Sequence, residues 1–378
     1  MTAARRIEIV GGVLALVGIA GFAAALAFGA VLRAWEAFLV NLLFWLGIAQ
    51  GGIVVSASFY ITEARWGGAG LYRLAEAFAG FLPVGWVLFW ALVPARAIVF
   101  PWVLHPLPEK AAWLNVPFFF ARDGIALLVM TVLSVWFLRA SRRADAVRWA
   151  ESYGDIDEPP PAVRRLAPAV ILLYAVVYSL VGFDLVMSLA PRWRSTLFGA
   201  YFSAGAFWSA LVAMGVLVVF GRRPRRLDRS GERGGILHDL GKLVFAFSVF
   251  WVYLLWSQYL PIWYADLPPE TFFVAPRVHR LPWGVMGWLA FVLVWVVPFT
   301  VLMGRRPKRT PAIFGSVCVL GLLGVWIERY VLVVPSLSPK TIPLGWVEAA
   351  TSLGFLGVFL LSVRDGVGRV PVQREAEP

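Results

Sequence analysis

Apolar stretches of about twenty residues recur from one end of this chain to the other, and no other feature restricts the fold so strongly. They occupy 9–32, 37–60, 74–92, 117–138, 166–189, 196–220, 240–264, 283–303, 311–334 and 344–363. Each can cross the roughly 30 Å hydrocarbon layer of a bilayer as a helix, given the few residues of slack at its ends. Within that layer every backbone N–H and C=O needs a partner in the protein, which leaves helices and closed barrels. A barrel would need short alternating strands, whereas these runs are continuous and rich in Leu, Val, Ala and Trp. The expected fold is therefore all-α integral membrane, with ten transmembrane helices. Apolar residues make up 60% of the chain and charged residues 15%, a balance beyond what a water-soluble core uses.

Ten crossings put both termini on one side of the membrane. That side, with the even-numbered loops, collects Arg5, Arg6, Arg65 and Arg73; Arg139, Arg142, Arg143, Arg148, Arg164 and Arg165; and Arg222, Arg223, Arg225, Arg226, Arg229, Arg233 and Lys242. Arg305, Arg306, Lys308 and Arg309, then Arg364, Arg369 and Arg374, complete it. The opposite side has Arg33, Arg96, Lys110, Arg192, Arg194, Arg277, Arg280 and Lys340, so the excess is roughly threefold and predicts cytoplasmic termini. The net charge of +12 is thus a topological signal, and no nucleic-acid partner is needed to explain it. Arg5 and Arg6 ahead of an apolar run loosely resemble a secretory signal, but 9–32 is too long for one and reads as a retained first span.

The middle of the chain, 182–205, reads GFDLVMSLAPRWRSTLFGAYFSAG. It places an acid, Asp184, in an apolar segment, then a Pro-Arg-Trp-Arg turn, then the next apolar segment. This looks like a tight hairpin joining two related halves. Asp184 stands seven residues before Pro191, as Glu328 does before Pro335; 44–52 (FWLGIAQGG) and 198–205 (FGAYFSAG) are alike in Phe and Gly; Glu76 and Lys242 open spans three and seven. The expected organisation is a peripheral first helix at 1–34, a four-helix bundle of spans two to five at 35–192, and a second of spans six to nine at 193–337. A peripheral tenth helix with a tail covers 338–378.

Of three histidines, His105 and His279 fall in loops and His238 at the margin of span seven, so no span interior offers an axial haem ligand. The lone Cys318 cannot by itself hold an iron–sulfur cluster or form an internal disulfide, and no metal-ligand spacing is present. No catalytic residue is assigned.

What the spans do hold is a set of polar groups at membrane depth, where ionisable residues are costly and mark function or pairing. Proton-path candidates are Asp184, Glu328, Arg329, Glu348, Gln258, Tyr253, Glu76, His238, Asp239 and Lys242, with Gln50 and Ser56 at mid-membrane. Quinone-binding candidates are Arg122, Asp123, Asn41 and Trp263. Each has a plainer reading. Arg122–Asp123 reads as an interfacial ion pair. Glu328 and Arg329 are adjacent and point apart on a helix, so each needs a partner elsewhere, Asp184 or Glu348 for Arg329. His238–Asp239 resembles a helix start with a capping acid. Gln258 and Tyr259 stand before Pro261 and could satisfy carbonyls that the proline frees. Trp86, Trp90, Trp102, Trp193, Trp263 and Trp283 read as interfacial anchors.

Three segments carry a family resemblance: FDLVMSLAPRWRSTLFGAYFSAG, HDLGKLVFAFSVFWVYLLWSQYLPIWYADLPPET from His238, and IERYVLVVP from Ile327. They resemble the second of two homologous ten-helix membrane subunits of bacterial alternative complex III. That subunit is labelled quinol:cytochrome c oxidoreductase quinone-binding subunit 2 and is related to the polysulfide-reductase membrane subunit. The resemblance implies a non-haem subunit of a respiratory complex in the bacterial inner membrane. It would be a scaffold beside the quinol-oxidising subunit, with a candidate proton path and menaquinone or ubiquinone as the cofactor. Implied partners are that homologous subunit, an iron–sulfur subunit, c-type haem subunits and small membrane subunits, the haem and clusters residing in those partners. Related subunits use His and Asp near span four at their quinol site; here Asp123 is present but the nearest histidine, His105, lies in the preceding loop. Two other classes compete: a secondary transporter, which also combines repeats with buried acids, and a passive anchor. Transporters break helices at mid-membrane, whereas most prolines here fall at span ends, Pro83 and Pro298 excepted.

Overall fold

The computed structural model describes residues 3–143, 159–221 and 233–368. Arg148, Arg222, Arg223, Arg225, Arg226, Arg229, Arg369 and Arg374, all counted above toward the basic side, lie outside the described residues. Among the described residues ten helices are long and apolar enough to cross a membrane: Arg5–Ala27, Val31–Ile61, Gly70–Trp90, Val116–Ser141, Pro161–Leu189, Phe198–Phe220, Gly235–Ala265, Trp283–Val301, Pro311–Leu337 and Trp346–Gly366, here spans one to ten. Among the described residues there is no strand. The protein is an all-α, ten-span membrane protein. Leu16, Leu172 and Val176 point outward, a placement suited to lipid and a liability in water.

Span two is the axis of the molecule. Its most apolar stretch is 94% buried inside the protein, against 22% for span one. Spans three, four, five, six, nine and ten all pack around it. The two halves of the chain join where span two crosses span six, with Gly47 and Gly51 meeting Ala206 and Ala210. Lipid tails are as apolar as the side chains they would leave, so helices associate by close packing, and small residues four apart allow it. A Cβ on Gly51 would stand 2.6 Å from the Ala206 carbonyl oxygen and 2.8 Å from the Ala210 Cβ, neither of which can swing aside. Gly51→Ala is therefore expected to cost about 1–3 kcal/mol through overpacking. Gly12→Ala, whose added Cβ meets nothing within 4 Å, serves as control, and denaturant titration in detergent micelles compares the two.

Spans two to five pack on one another, and spans six to nine do the same. The two peripheral helices, first and last in the chain, lie side by side at one edge, with Gly18 of span one set against Gly354 of span ten. Proline chemistry shapes the rest. Asn115 caps span four, its side chain accepting from the Phe118 N–H at 3.0 Å, with Pro117 in the first turn where a missing N–H costs nothing. Pro83 and Pro298, the two mid-span exceptions, each follow a local departure from α-geometry: a 3₁₀ turn at Phe78–Phe81 and a π-turn at Val292–Val296. Between spans seven and eight a short helix, Pro268–Val278, packs across the end of the second half.

Candidate functional site

The interior polar groups collect into four places. The first lies among spans four and five, on the side away from the Arg-rich loops. Asp184, at the last turn of the span-five helix, accepts from Arg122 of span four at 2.6 and 3.0 Å and from the Trp113 indole N–H at 2.9 Å. The Arg122 guanidinium lies 3.8 Å over the Trp113 ring. Asp123 is completely buried on the other side of the same helix turn, and neither of its carboxyl oxygens has a partner among the described residues. The expected Arg122–Asp123 pair is not formed. Consecutive residues on a helix point about 100° apart, so Arg122 turns to span five and Asp123 turns inward. The two carboxyls are nevertheless close enough to repel each other as anions. As two carboxylates neither can donate, which is why Asp123 stands unsatisfied. A proton on one of them would turn an acceptor into a donor.

The second place is on the Arg-rich side, among spans two, three and four. Glu76 accepts from Arg73 at 2.6 Å, from Ser56 at 3.1 Å, and from Ser141. Tyr60 bonds the same Ser141 hydroxyl at 2.9 Å. Midway, Gln50 and Ser134 bond each other at 3.0 Å. Asp123, Ser134 and Ser141 belong to one buried stripe of span four, at spacings of three and two turns. Leu127 and Met130 fill the stripe between Asp123 and Ser134, so about 16 Å of helix rise there is apolar. Two polar half-paths therefore reach toward each other without meeting.

The third place is in the second half of the chain. Arg329 and Glu328, both buried, pair with each other at 3.2 Å, and Arg329 also donates to the Phe202 carbonyl at 3.2 Å and stacks over its ring at 4.0 Å. The expectation of separate partners fails because the long Arg329 side chain bends back across its own turn. Asp184 is already held by Arg122, and Glu348 by Arg33 at 2.7 Å. Glu328 reaches the Tyr201 hydroxyl as well and lines the inner end of a lateral cavity of about 1010 Å³. Aromatic side chains of spans seven and eight and of the Pro268–Val278 helix form its walls, Trp251, Trp288 and Phe273 among them.

Arg277, expected in an exposed loop, is built into this wall. It donates to the Val331 carbonyl at 2.9 Å, Phe273 carbonyl at 2.6 Å, Leu332 carbonyl at 3.1 Å and Ser336 hydroxyl at 2.7 Å. Pro335 has no N–H to offer the Val331 carbonyl four residues back, and Arg277 supplies that bond. Burial lowers its pKa to about 9.

Other expectations change too. Gln258 accepts from Ser195 at 2.9 Å and Tyr259 bonds His279 at 3.0 Å, so neither serves the carbonyl freed by Pro261. Tyr253 and Trp263 lie on the outer flank of the cavity, 61% and 59% exposed, so Tyr253 is not an interior relay. Asp239 lies two turns inside a helix that starts at Arg233, pairs with Lys242 at 2.7 Å near the surface, and caps nothing. His238 beside it has a buried Nδ1 without a partner among the described residues. Trp102, Trp193 and Trp283 are buried within the protein, and Trp193 stacks on Phe273 at 3.9 Å. Asn41 has its polar atoms engaged by Ala37, Ser352 and Trp326. Of the four quinone-binding candidates only Trp263 lines the cavity.

The fourth place contains Glu36, which hydropathy does not mark as a site. It falls between the apolar runs 9–32 and 37–60, yet span two begins at Val31 and buries it. A charged residue six positions inside a helix start gives no hydropathy signal of its own. The one sequence signal nearby is Glu348, read as a charge at membrane depth, whereas Arg33 falls among the loop charges. Among the described residues no group of three His, Cys, Asp or Glu side chains is placed to hold a metal ion. Compared with known proteins, the chain matches no family model and no curated protein.

Proposed function

We propose that this chain is a non-haem membrane subunit of a quinol-oxidising respiratory complex, serving as a scaffold and holding protons that move during turnover. One observation carries the reading: Asp123 and Asp184 are both buried, and the guanidinium beside them is taken up by Asp184, leaving Asp123 without a counter-charge. Unpaired charge in a low-dielectric interior is expensive, so this cluster keeps a proton that no fixed cation replaces. A passive anchor has no need of a sealed second acid. Glu76, Ser56, Ser141 and Tyr60 form the corresponding entrance on the Arg-rich side, and water would bridge the apolar gap at Leu127 and Met130. The resemblance of 183–205, 238–271 and 327–335 to the alternative complex III subunit supplies the redox context, including the iron–sulfur and c-type haem partners.

The aromatic cavity fits a prenylated quinone in size and lining, and Glu328, ion-paired to Arg329 at 3.2 Å, lines it. Trp251 and Trp288 would flank the ring, and Glu328 would accept from the head group. When bound, a quinol supplies two electrons and two protons. The transporter reading is weakened by the two distorted spans, three and eight. Both stay continuous across their turns.

Affinity purification of the chain from native membranes tests the proposal. The expected result is co-purification of c-type haem absorbance and iron–sulfur signals with quinol:cytochrome c activity. Recovery of a solitary, substrate-transporting protein would contradict it.

A further inference from the structure

On the side of the membrane away from the Arg-rich loops, spans two, nine and ten enclose a second cluster with the stoichiometry of the Asp123 site. Arg33 of span two donates to both carboxylate oxygens of Glu348 of span ten, at 3.0 and 2.7 Å. Glu36, one turn further along span two, is 1% exposed. Its Oε1 accepts from the Ser338 hydroxyl at 2.7 Å, and its Oε2 has no partner among the described residues. Glu348 and Arg33 are the charged groups that face it. An independent observation comes from span nine: Tyr330 is 1% exposed, its hydroxyl also has no partner among the described residues, and it faces the same three charges.

Two carboxyls and one guanidinium leave the cluster one positive charge short. The Arg33–Glu348 pair has two hydrogen bonds and is complete. Glu36 would then be a lone carboxylate, sealed from water by spans nine and ten, with one oxygen bare. Such a group neutralises itself by taking a proton. The neutral acid turns Oε2 from an orphaned acceptor into a donor and makes an acceptor of the neighbouring unpartnered hydroxyl useful. In both clusters the sealed acid shares a helix with the arginine, while the ion-paired acid comes from another span. Here the arginine side chain is one-third exposed, 34% against 11% for Arg122, so this cluster has the more open route to the adjacent aqueous phase.

We propose that Glu36 is a second proton-binding site of this protein, holding one exchangeable proton that equilibrates with the aqueous phase beside Arg33. It stands apart from the Asp123–Asp184 pair and does not depend on the redox reading.

Infrared difference spectroscopy of the full-length protein in lipid nanodiscs, recorded between two buffer pH values, tests this directly. In wild type the protonated-carboxyl C=O region should contain a band from this cluster, shifted by exchange into D₂O. Glu36→Gln should remove it and leave the Asp123–Asp184 contribution, itself identified by its loss in Asp123→Asn. Arg33→Gln should do the reverse and add one protonated carboxyl, because Glu348 then loses its counter-charge. A Glu36→Gln spectrum identical to wild type in a folded, monodisperse sample would overturn the proposal. If that variant fails to fold, Glu36→Asp, which keeps the acid, should shift the band, and a spectrum identical to wild type overturns the proposal equally. A spectrum in which only the Asp123 band is missing would count against the proposed function and leave Glu36 standing.

Discussion

Arg122→Leu is expected to destabilise the protein by about 3–5 kcal/mol, more than any other single change in its polar interior. The guanidinium is the one cation of a cluster with two buried acids, held to Asp184 at 2.6 and 3.0 Å. Removing it strands Asp184, and the loss of its stacking over Trp113 at 3.8 Å adds to the cost. Breaking a buried pair from one side is far worse than removing both partners, since the surviving charge has no solvent to return to. The double variant Arg122→Leu/Asp184→Leu should accordingly recover most of the loss. Arg122→Lys should fall between, because an ammonium cannot reproduce the paired N–H geometry. Denaturant titrations of wild type, both single leucine variants and the double variant in the same micelle would give the coupling energy. Additive losses would mean that the pair is not the structural unit described.

Arg277→Ala is the second large effect, about 2–4 kcal/mol from the bare carbonyls and the void left behind. Its mechanism makes an unusual demand. The Val331 carbonyl lacks its helix partner because residue 335 is proline, so Pro335→Ala should partly rescue Arg277→Ala by restoring the backbone N–H. In the wild-type background the same change should do little, since Arg277 already fills that acceptor. A double-mutant cycle measures this directly. Equal effects of Pro335→Ala in both backgrounds would contradict the proposed role of Arg277 as the donor that replaces a proline's missing hydrogen.

The fold was legible because a bilayer leaves so few choices. Continuous apolar runs are enough to place ten helices, and only the ends move. Span two starts six residues earlier than hydropathy placed it because Arg33 and Glu36 interrupt the apolar run, while Glu348 and Ser338 satisfy them from spans far away in the chain. The same limit governs the site. Asp184, Glu328 and Glu76 stand out as acids in apolar surroundings, but their partners are set by which helices touch. Sequence adjacency suggested Arg122 with Asp123; packing gives Arg122 to Asp184. The resemblance between Asp184 and Glu328, each seven residues before a proline, does not extend to geometry. Asp184 lies at a helix end, whereas the Glu328 helix runs on through Pro335 to Leu337. Arg277 and Lys340 look alike as loop charges. Only the backbone path, folding the Pro268–Val278 helix against span nine, makes the first a buried hub.

In the proposed function Asp123 holds a proton that moves, as opposed to being a buried acid that merely fills space. The most direct measurement is proton movement during quinol oxidation by the intact complex in sealed proteoliposomes, comparing wild type with Asp123→Asn. The variant leaves Arg122–Asp184 in place, so assembly, haem content and electron transfer should persist while coupled proton movement drops to a small fraction. An assembled Asp123→Asn complex with an unchanged ratio of protons to electrons would contradict that role and leave the chain a membrane scaffold alone.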